Sequence, residues 1–340
     1  MIRLPFTRYP EFGVENTEYA YACGLVRALE TRLLDKVKID RLLVLKDIEE
    51  VFKALQDTDY GKYLNEIHAP SDFEIMLKKE LQRTYELLDE LAVDEYIKVD
   101  TRYYYDFHNI RVLVKAFISE KEFDFALSSF GAIEPKVLKT IFENEEFDLL
   151  PTCLKDAVLN AIENYYERKD PQWIDLSIDR DTFKYYTTCS ESDFIRNYHK
   201  LQVDLKNFLT LLRLERIERK DMLKYSILPG GFLGEEIFLE IADSNSLLQE
   251  IKLTPYYPVL APGYSYYQKN GSFIKLEKDI ESYLVGFVRE TRKKDLGPEP
   301  LLGYFYSKRN EIRILRMIMV GKINGIPKEL IQERIPEVVG

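Results

Sequence analysis

The apolar residues of this chain recur at helical spacing along most of its length. Between residues 18 and 35, one broad helical face carries Ala22, Leu25, Val26, Leu29, Leu33 and Leu34. The same spacing predicts a long helix that opens after Pro70, and further helices over 40–55, 100–119, 134–144, 152–167, 191–218, 273–294 and 299–322. Runs that alternate between polar and apolar residues are scarce. The pattern therefore predicts an all-α fold with loops near 57–70, 168–178, 226–234 and 254–272.

A weak internal repeat with a period near 100 residues runs through the chain. Its members are Asp106-Phe107-His108-Asn109, Asp204-Leu205-Lys206-Asn207 and Lys308-Arg309-Asn310-Glu311. Asn109 and Asn207 lie 98 residues apart, and Asn207 and Glu311 lie 104 apart. Chance self-similarity of a leucine-rich helical chain is the alternative, although three agreeing offsets argue against it.

A repeat of this length is long enough for a small helical bundle and too long for a short solenoid unit. We therefore predict three similar bundles, arranged with pseudo-threefold symmetry. Their approximate boundaries are 1–120, 121–218 and 219–340.

The charge balance limits the partners that this protein can have. It contains 58 acidic and 48 basic residues, which gives a formal net charge of −10. Such a chain lacks the positive field with which proteins bind nucleic acids or anionic lipids. The longest uncharged stretch, Leu253–Gln268, contains three prolines and is shorter than the roughly 20 apolar residues of a membrane-spanning helix. We expect no nucleic-acid partner and no transmembrane segment.

The cysteines and the N-terminal residues favour a reducing cytoplasm. Cys23, Cys153 and Cys189 are far apart and form no Cys-x-x-Cys motif. The residues that follow Met1 include no apolar core of a secretion signal. Both features are typical of a protein that stays in a reducing compartment.

No pattern of catalytic or ligand-binding residues stands out. His68, His108 and His199 lack the spacing of metal ligands, and no Gly-x-Ser-x-Gly nucleophile motif occurs. The glycine-rich run Pro229–Gly234 resembles a phosphate loop, but Glu235-Glu236 follows it in place of Lys-Ser or Lys-Thr. Two carboxylates would repel a phosphate at close range. We therefore predict no catalytic residues, no metal, no cofactor and no direct nucleotide binding.

A basic stripe near the C-terminus is a candidate interface. Arg309, Arg313 and Arg316 share one helix face, because they lie at i, i+4 and i+7. This face either pairs with acidic residues of neighbouring helices or docks an acidic partner helix.

Tyrosine is unusually abundant, with 24 residues. Tyrosine suits half-buried surfaces and is enriched at protein interfaces. The segment 253–268 is rich in both tyrosine and proline. Its candidate contacts are Tyr256, Tyr257 and Tyr264.

Several motifs, taken in order, carry a resemblance to a known family. The N-terminal ones are Tyr21, Val26-Arg27-Ala28-Leu29-Glu30, Leu33-Leu34 and Leu55-x-x-Thr58-x-Tyr60. The C-terminal ones are Gly297-Pro298-Glu299-Pro300, Tyr304, Lys308, Glu311-Ile312-Arg313, Arg316 and Gly321-Lys322-Ile323-Asn324-Gly325-Ile326. In these residues the chain resembles the C subunit of the V-type (A-type) rotary ATPases of archaea and bacteria, the counterpart of the eukaryotic d subunit. The resemblance covers nearly the whole chain, and the Asp-x-x-Asn segments match the family's threefold repeat.

The resemblance implies a funnel-shaped, all-helical and non-catalytic protein. In this family the C subunit is a socket on the cytoplasmic face of the membrane proteolipid ring. It receives the foot of the central stalk, which the D and F subunits form, and so links the ring to the ATP-processing head during proton or sodium transport. On this basis Arg309, Arg313 and Arg316, with the repeat-related Arg111 and Arg213, are candidate contacts with the stalk or ring.

Two other functions stay open at the level of sequence. The first is an autonomous helical interaction scaffold that is unrelated to rotary motors. The second is an all-α hydrolase or transferase whose site assembles from residues distant in the sequence. A part of a rotary motor differs from both, because it would co-sediment with membranes and would show no ATPase activity when isolated.

Overall fold

The computed structural model describes residues 2–338, and within them no β-strand occurs. The predicted all-α class is confirmed. The first eight helices are α1 (Ala20–Glu30), α2 (Lys36–Val44), α3 (Ile48–Leu55), α4 (Phe73–Leu91), α5 (Glu95–Ser119), α6 (Pro135–Glu143), α7 (Thr152–Arg168) and α8 (Gln172–Lys184). The others are α9 (Asp193–Arg216), α10 (Leu223–Ser226), α11 (Glu235–Glu240), α12 (Ser244–Glu250), α13 (Tyr257–Asn270), α14 (Ile274–Glu290), α15 (Pro298–Ile323) and α16 (Lys328–Gln332).

The chain divides into two compact units. Unit 1 contains residues 2–4 and 94–250, and therefore helices α5–α12. Unit 2 contains residues 5–93 and 251–338, and therefore helices α1–α4 and α13–α16. This division does not test for repeated bundles inside each unit. The boundaries 1–120, 121–218 and 219–340, the pseudo-threefold arrangement and the funnel shape stay predictions.

Long helices organise each unit. In unit 1, α5 packs against α6, α7 and α8, and α9 packs against α10, α11 and α12. In unit 2, α15 packs against α1, α3, α4, α14 and α16. The apolar core of unit 2 includes Ile314, Leu315 and Ile318 of α15. Because apolar side chains of this size stabilise by about 1.5–3 kcal/mol each when buried, packing on α15 is a main source of stability for this unit.

Two predicted helix boundaries were wrong. The segment 40–55 forms the end of α2 and all of α3, because Asp47 interrupts the helix and accepts a hydrogen bond from the backbone N–H of Glu50 (3.0 Å). Such a cap begins a new helix. The loop predicted over 168–178 is shorter than expected, since α8 begins at Gln172.

The loop predicted over 254–272 is also wrong, because most of it is α13. Pro258 lies in the first turn of the helix, where a backbone N–H would have no acceptor within the helix. The proline therefore removes no helical hydrogen bond at this position. Pro262 removes one helical hydrogen bond further along. Packing against α14 offsets that loss: a Cβ on Gly263 would lie only 2.6 Å from the Cα of Leu276. The two helices approach this closely because Gly263 has no side chain.

The helices are too short or too polar to enter a bilayer as spanning segments. Among residues 2–338, none of them combines the length and the apolar character that crossing a bilayer requires. The longest helix, α15, buries a lysine and two glutamates along with its apolar residues.

Candidate functional site

The first Asp-x-x-Asn segment holds a loop onto α5. Both carboxylate oxygens of Asp106 accept backbone hydrogen bonds, from the N–H of Ala132 at 2.8 Å and of Ile133 at 3.1 Å. Asn109 makes two more, donating to the carbonyl of Ser128 (2.9 Å) and accepting from its N–H (2.8 Å). Both side chains are fully buried. We call this arrangement the α5 anchor.

The second segment repeats this geometry on α9. Asp204 accepts from the N–H groups of Phe232 and Leu233, both at 3.0 Å. Asn207 donates to the carbonyl of Leu228 (2.9 Å) and accepts from its N–H (2.8 Å). We call this the α9 anchor. The same four hydrogen bonds therefore recur in two helices whose asparagines lie 98 residues apart.

Each of these two anchors requires a glycine in the loop. A Cβ on Gly131 would lie 2.2 Å from Oδ1 of Asp106, and one on Gly231 would lie 2.0 Å from Oδ1 of Asp204. Both distances are too short for a carbon atom beside an oxygen. The carboxylates can reach the loop backbone only because no side chain is present at these positions.

The third segment, on α15, uses charges in place of the Asp-x-x-Asn pair. Glu311 accepts hydrogen bonds from the backbone N–H of Leu34 and from the hydroxyl of Tyr60 (2.7 Å). It therefore holds a loop, as Asn109 and Asn207 do. The loop precedes α15 in the sequence, whereas the loops of the other two anchors follow their helices.

Lys308, one turn before Glu311, lies at the centre of a buried charge cluster. Its Nζ is 2.8 Å from an oxygen of Glu311, and 3.4 Å from oxygens of Asp59 and Glu80. The lysine side chain is only 1% exposed. Arg83 binds Glu80 at 2.6 Å, so the cluster contains three carboxylates and at least two cations. We call Lys308, Glu311, Asp59, Glu80 and Arg83 the Lys308 cluster.

The cluster keeps Lys308 charged. Burial alone would lower the pKa of Lys308, but the nearby carboxylates of Glu311 and Glu80 outweigh burial and raise this pKa above its usual value. Burial, reinforced by the same two carboxylates, raises the pKa of Tyr60 well above 10, so its hydroxyl stays a donor to Glu311. The charged groups of the cluster are bound to one another by ion pairs and hydrogen bonds. Such an arrangement fits a structural role.

Sequence reasoning missed this cluster. It named Lys308 among the repeat and family motifs and did not predict that this lysine is buried. Glu80 offered a signal, since it follows Met76 and Leu77 on the apolar face of α4 and is itself fully buried. A charge on an apolar helix face needs a buried counter-charge, but the sequence does not identify that partner.

The three predicted arginines of α15 are half-buried and have contacts within unit 2. Arg316 binds both carboxylate oxygens of Glu74, at 2.7 and 2.9 Å. Arg313 forms an ion pair with Glu281. Arg309 lies over the rings of Phe305 (5.6 Å) and Tyr306 (5.8 Å). Pairing with neighbouring helices, one of the two interpretations of this stripe, therefore occurs for Arg313 and Arg316.

Arg111 and Arg213 belong to unit 1. Arg111 forms an ion pair with Asp179 and lies 3.5 Å from Asp175, both on α8. Arg213 lies in the last turn of α9 and is exposed. A cation at this end of a helix interacts favourably with the helix dipole.

The three predicted tyrosines differ in burial. Tyr256 is only 1% exposed, and its ring packs against Phe6 and Tyr283. We correct its assignment as a surface contact, because a partner could not reach it without opening the core. Tyr257 and Tyr264 are half-buried on α13 and stay candidates.

The buried carboxylate of the α5 anchor leads to a prediction on pH. Burial raises the pKa of Asp106 to about 6, against the opposing effect of its two backbone donors. An unfolded aspartate has a pKa near 3.9, so between about pH 4 and 6 the folded state binds the extra proton. The contribution of Asp106 to stability should therefore rise as the pH falls through 6, by about 1–3 kcal/mol in total.

Urea unfolding of the wild type and of Asp106→Asn at pH 4.5, 6 and 7 tests this expectation. The free energy of unfolding of the wild type, relative to that of Asp106→Asn, should increase as the pH falls from 7 to 4.5. Asp156→Asn, at an exposed position of α7 in the same unit, is the control. A difference that does not change with pH would show that Asp106 titrates alike in the folded and unfolded chains.

Comparisons with known proteins identify the family. Residues 22–334 match the ATP synthase (C/AC39) subunit family. The chain belongs to this family. The predicted resemblance to the C subunit is confirmed, and this member of the family is part of an A-type or V-type rotary ATPase.

Curated relatives match this chain over nearly its whole length. The C subunit of the A-type ATP synthase of Methanocaldococcus jannaschii is 25% identical, over 94% of this chain and 86% of its own length. The C subunit of the V-type sodium ATPase of Enterococcus hirae is 25% identical, over 94% and 99%. The C subunit of the A-type ATP synthase of Thermococcus kodakarensis is 26% identical, over 95% and 91%.

Proposed function

We propose that this protein is the non-catalytic central-stalk socket of its rotary ATPase. In this role it couples the central rotor shaft, formed by the D and F subunits, to the membrane proteolipid ring during ATP-linked transport of protons or sodium ions. The observation that carries the proposal is the family match over residues 22–334, together with relatives of nearly the same extent. The family match also argues against a scaffold unrelated to rotary motors.

The internal structure of each unit suits a part that transmits torque. Such a part must not deform between its two attachment surfaces. The α5 and α9 anchors and the Lys308 cluster fix loops onto long helices with buried, directional bonds. Hydrogen bonds in a buried, low-dielectric setting are strengthened and rigidify the segments that they join.

Attachment at the cytoplasmic face of the membrane would be peripheral. The net charge of −10 opposes a purely electrostatic attachment to acidic lipid. Specific contacts with the proteolipid ring and the shaft would therefore hold the protein in place. Whether the ion is a proton or sodium depends on carboxylates of the ring, which this chain does not contain.

Affinity purification tests the socket role. The tagged chain would be isolated from detergent-solubilised membranes of cells that make the whole complex, and its partners would be identified by mass spectrometry. We expect the proteolipid together with shaft and head proteins, and no ATP hydrolysis by the isolated chain. Recovery of head proteins with a persistent absence of the proteolipid and shaft would contradict the socket role.

Charge reversal tests the arginines of α15 as contacts with a partner. The triple variant Arg309→Glu, Arg313→Glu and Arg316→Glu should lower the co-purified shaft or proteolipid at least about tenfold, equivalent to about 1.4 kcal/mol of binding free energy. The reason is that each reversal replaces attraction to an acidic partner by repulsion.

A matched control separates partner contacts from internal ion pairs. The variant Glu74→Lys with Glu281→Lys breaks the same pairs with Arg316 and Arg313 but leaves the arginines in place. It should retain assembly. If both variants lose the same amount of co-purified shaft and proteolipid, the arginines act only within unit 2. Affinity purification of the wild type would still test the socket role separately.

A further inference from the structure

Helix α2 has an outer face that is both basic and apolar. Its exposed residues are Lys36, Val37, Lys38, Arg41 and Val44, so that three are cations and none is acidic. Val37 is 77% exposed and Val44 is 63% exposed. Such a face is unusual in a chain whose net charge is −10.

The spacing places the two valines and Arg41 together. They lie at i, i+4 and i+7, and therefore on one side of the helix. Within residues 2–338, the side chains of Lys36, Lys38 and Arg41 have no ion pair or hydrogen bond. They differ in this respect from Arg313 and Arg316 of α15, which bind Glu281 and Glu74.

The end of α15 is hydrogen-bonded to the end of α2. Lys322 of α15 donates a hydrogen bond to the carbonyl of Leu43 (2.8 Å) and another to that of Leu45, on either side of Val44. Its neighbour Ile323 is 43% exposed. We call the exposed residues of α2, together with Ile323 at the end of α15, the α2 face.

Nearby acidic residues do not neutralise the α2 face. Asp47 and Glu50 follow α2 in the sequence but are bound at the start of α3: Asp47 caps the N–H of Glu50, and Glu50 accepts from the N–H of Lys46 (2.8 Å). Asp40, the one acidic residue of α2, is half-buried and lies on the same face, four residues from both Lys36 and Val44, but within residues 2–338 it forms no ion pair with Lys36. Within the described residues, Lys36, Lys38 and Arg41 therefore have no ion-pair partner.

We propose that the α2 face docks an acidic, amphipathic helix of another protein of the complex. Apolar residues of that helix would cover Val37, Val44 and Ile323. Its carboxylates would pair with Lys36, Lys38 and Arg41, because covering these cations without counter-charges would cost free energy. The proposal requires membership in the complex, which the family match establishes, and does not depend on the socket role.

The observations favour this occupant over two others. Helices that bind lipid interfaces use tryptophan, phenylalanine or leucine, whereas the exposed apolar residues of α2 are valines. A net charge of −10 also opposes approach to an anionic bilayer. A second copy of this chain would bring the same cations together, and like charges repel.

Photo-crosslinking in the assembled complex tests the proposal. The photoreactive residue p-benzoylphenylalanine would replace Val44 in one preparation and Val37 in another, and the purified complex would be irradiated. We expect both sites to crosslink to one peptide of another protein of the complex, with net negative charge and helical apolar spacing. A crosslink to lipid, to a second copy of this chain or to a neutral or basic peptide, or no crosslink, would overturn the proposal.

A charge-reversal series checks that electrostatics hold the partner. Lys36→Glu with Lys38→Glu and Arg41→Glu should reduce the crosslink yield from Val44 at least tenfold. The control Lys53→Glu with Lys78→Glu and Lys269→Glu reverses three other exposed lysines of unit 2 and should change the yield less than twofold. Equal yields in the two triple variants, with α-helical circular dichroism retained, would also overturn the proposal.

Discussion

Replacement of Lys308 by methionine is expected to destabilise unit 2 by about 3–5 kcal/mol. The substitution leaves Glu311, Glu80 and Asp59 buried around an uncharged side chain, and their exposed fractions are 5% or less. A buried carboxylate without its counter-charge must either bear the cost of desolvation or take up a proton. Arg83 compensates Glu80, and Asp59 keeps an ion pair with Arg32, so Glu311 is the carboxylate that loses its nearest cation.

Urea unfolding, combined with hydrogen exchange of α4 and α15, measures this effect. Faster exchange should be confined to the helices that carry the cluster. Lys328→Met, at an exposed position of α16, is the matched control and should change the unfolding free energy by no more than about 0.5 kcal/mol. A loss below about 1 kcal/mol for Lys308→Met would mean that Lys308 does not compensate the three carboxylates.

A triple variant distinguishes lost pairing from lost packing. Lys308→Met combined with Glu311→Gln and Glu80→Gln removes most of the charge on both sides. Replacing a whole buried ion network by neutral groups is often close to neutral in stability. The triple variant should therefore recover part of the stability that the single substitution loses. If it is less stable still, the shape of the lysine side chain matters more than its charge.

Asp204→Ala is expected to destabilise unit 1 by about 2–5 kcal/mol. The substitution leaves the backbone N–H groups of Phe232 and Leu233 without their acceptors, and each such loss in a buried site costs about 1–3 kcal/mol. Asp204 is only 1% exposed, so water cannot replace the carboxylate without opening the loop. Asp204→Asn keeps one acceptor oxygen and should lose roughly half as much.

Hydrogen exchange localises the effect of Asp204→Ala. Residues 229–234 should exchange faster in the variant, while residues 128–134, held by the α5 anchor, serve as an internal control in the same sample. Asp156→Ala, at an exposed site of α7, should change the unfolding free energy by no more than about 0.5 kcal/mol. Unchanged exchange at 229–234 would show that the loop does not depend on Asp204.

Helix positions were largely predictable from the sequence. The segments expected over 134–144, 152–167, 191–218 and 299–322 agree closely with α6, α7, α9 and α15. Helical periodicity is a local property, because side chains three and four residues apart share a face whatever the rest of the chain does. The largest exception, α13, was predicted as a loop; it contains Pro258 and Pro262, and its helix depends on packing against α14.

The candidate site was predictable only in part. The spacing of Asp106-x-x-Asn109 and Asp204-x-x-Asn207 is visible in the sequence, but their loop partners are not. The sequence also indicated a basic face on α15, yet it is the cations of α2 that have no ion pair or hydrogen bond through their side chains within residues 2–338. Sequence patterns show which charges share a helix face, whereas the acids that neutralise them come from other helices.

Composition, helical period and family motifs were enough to establish an all-helical component of a rotary ATPase. Tertiary packing decided which polar residues are buried and what they hold. Lys308 and Arg309 are adjacent cations on one helix, yet Lys308 is buried and Arg309 is half-exposed. The reason is that Asp59 and Glu80, more than 200 residues earlier in the chain, converge on Lys308. Burial of a charge depends on such distant segments, and local sequence does not specify them.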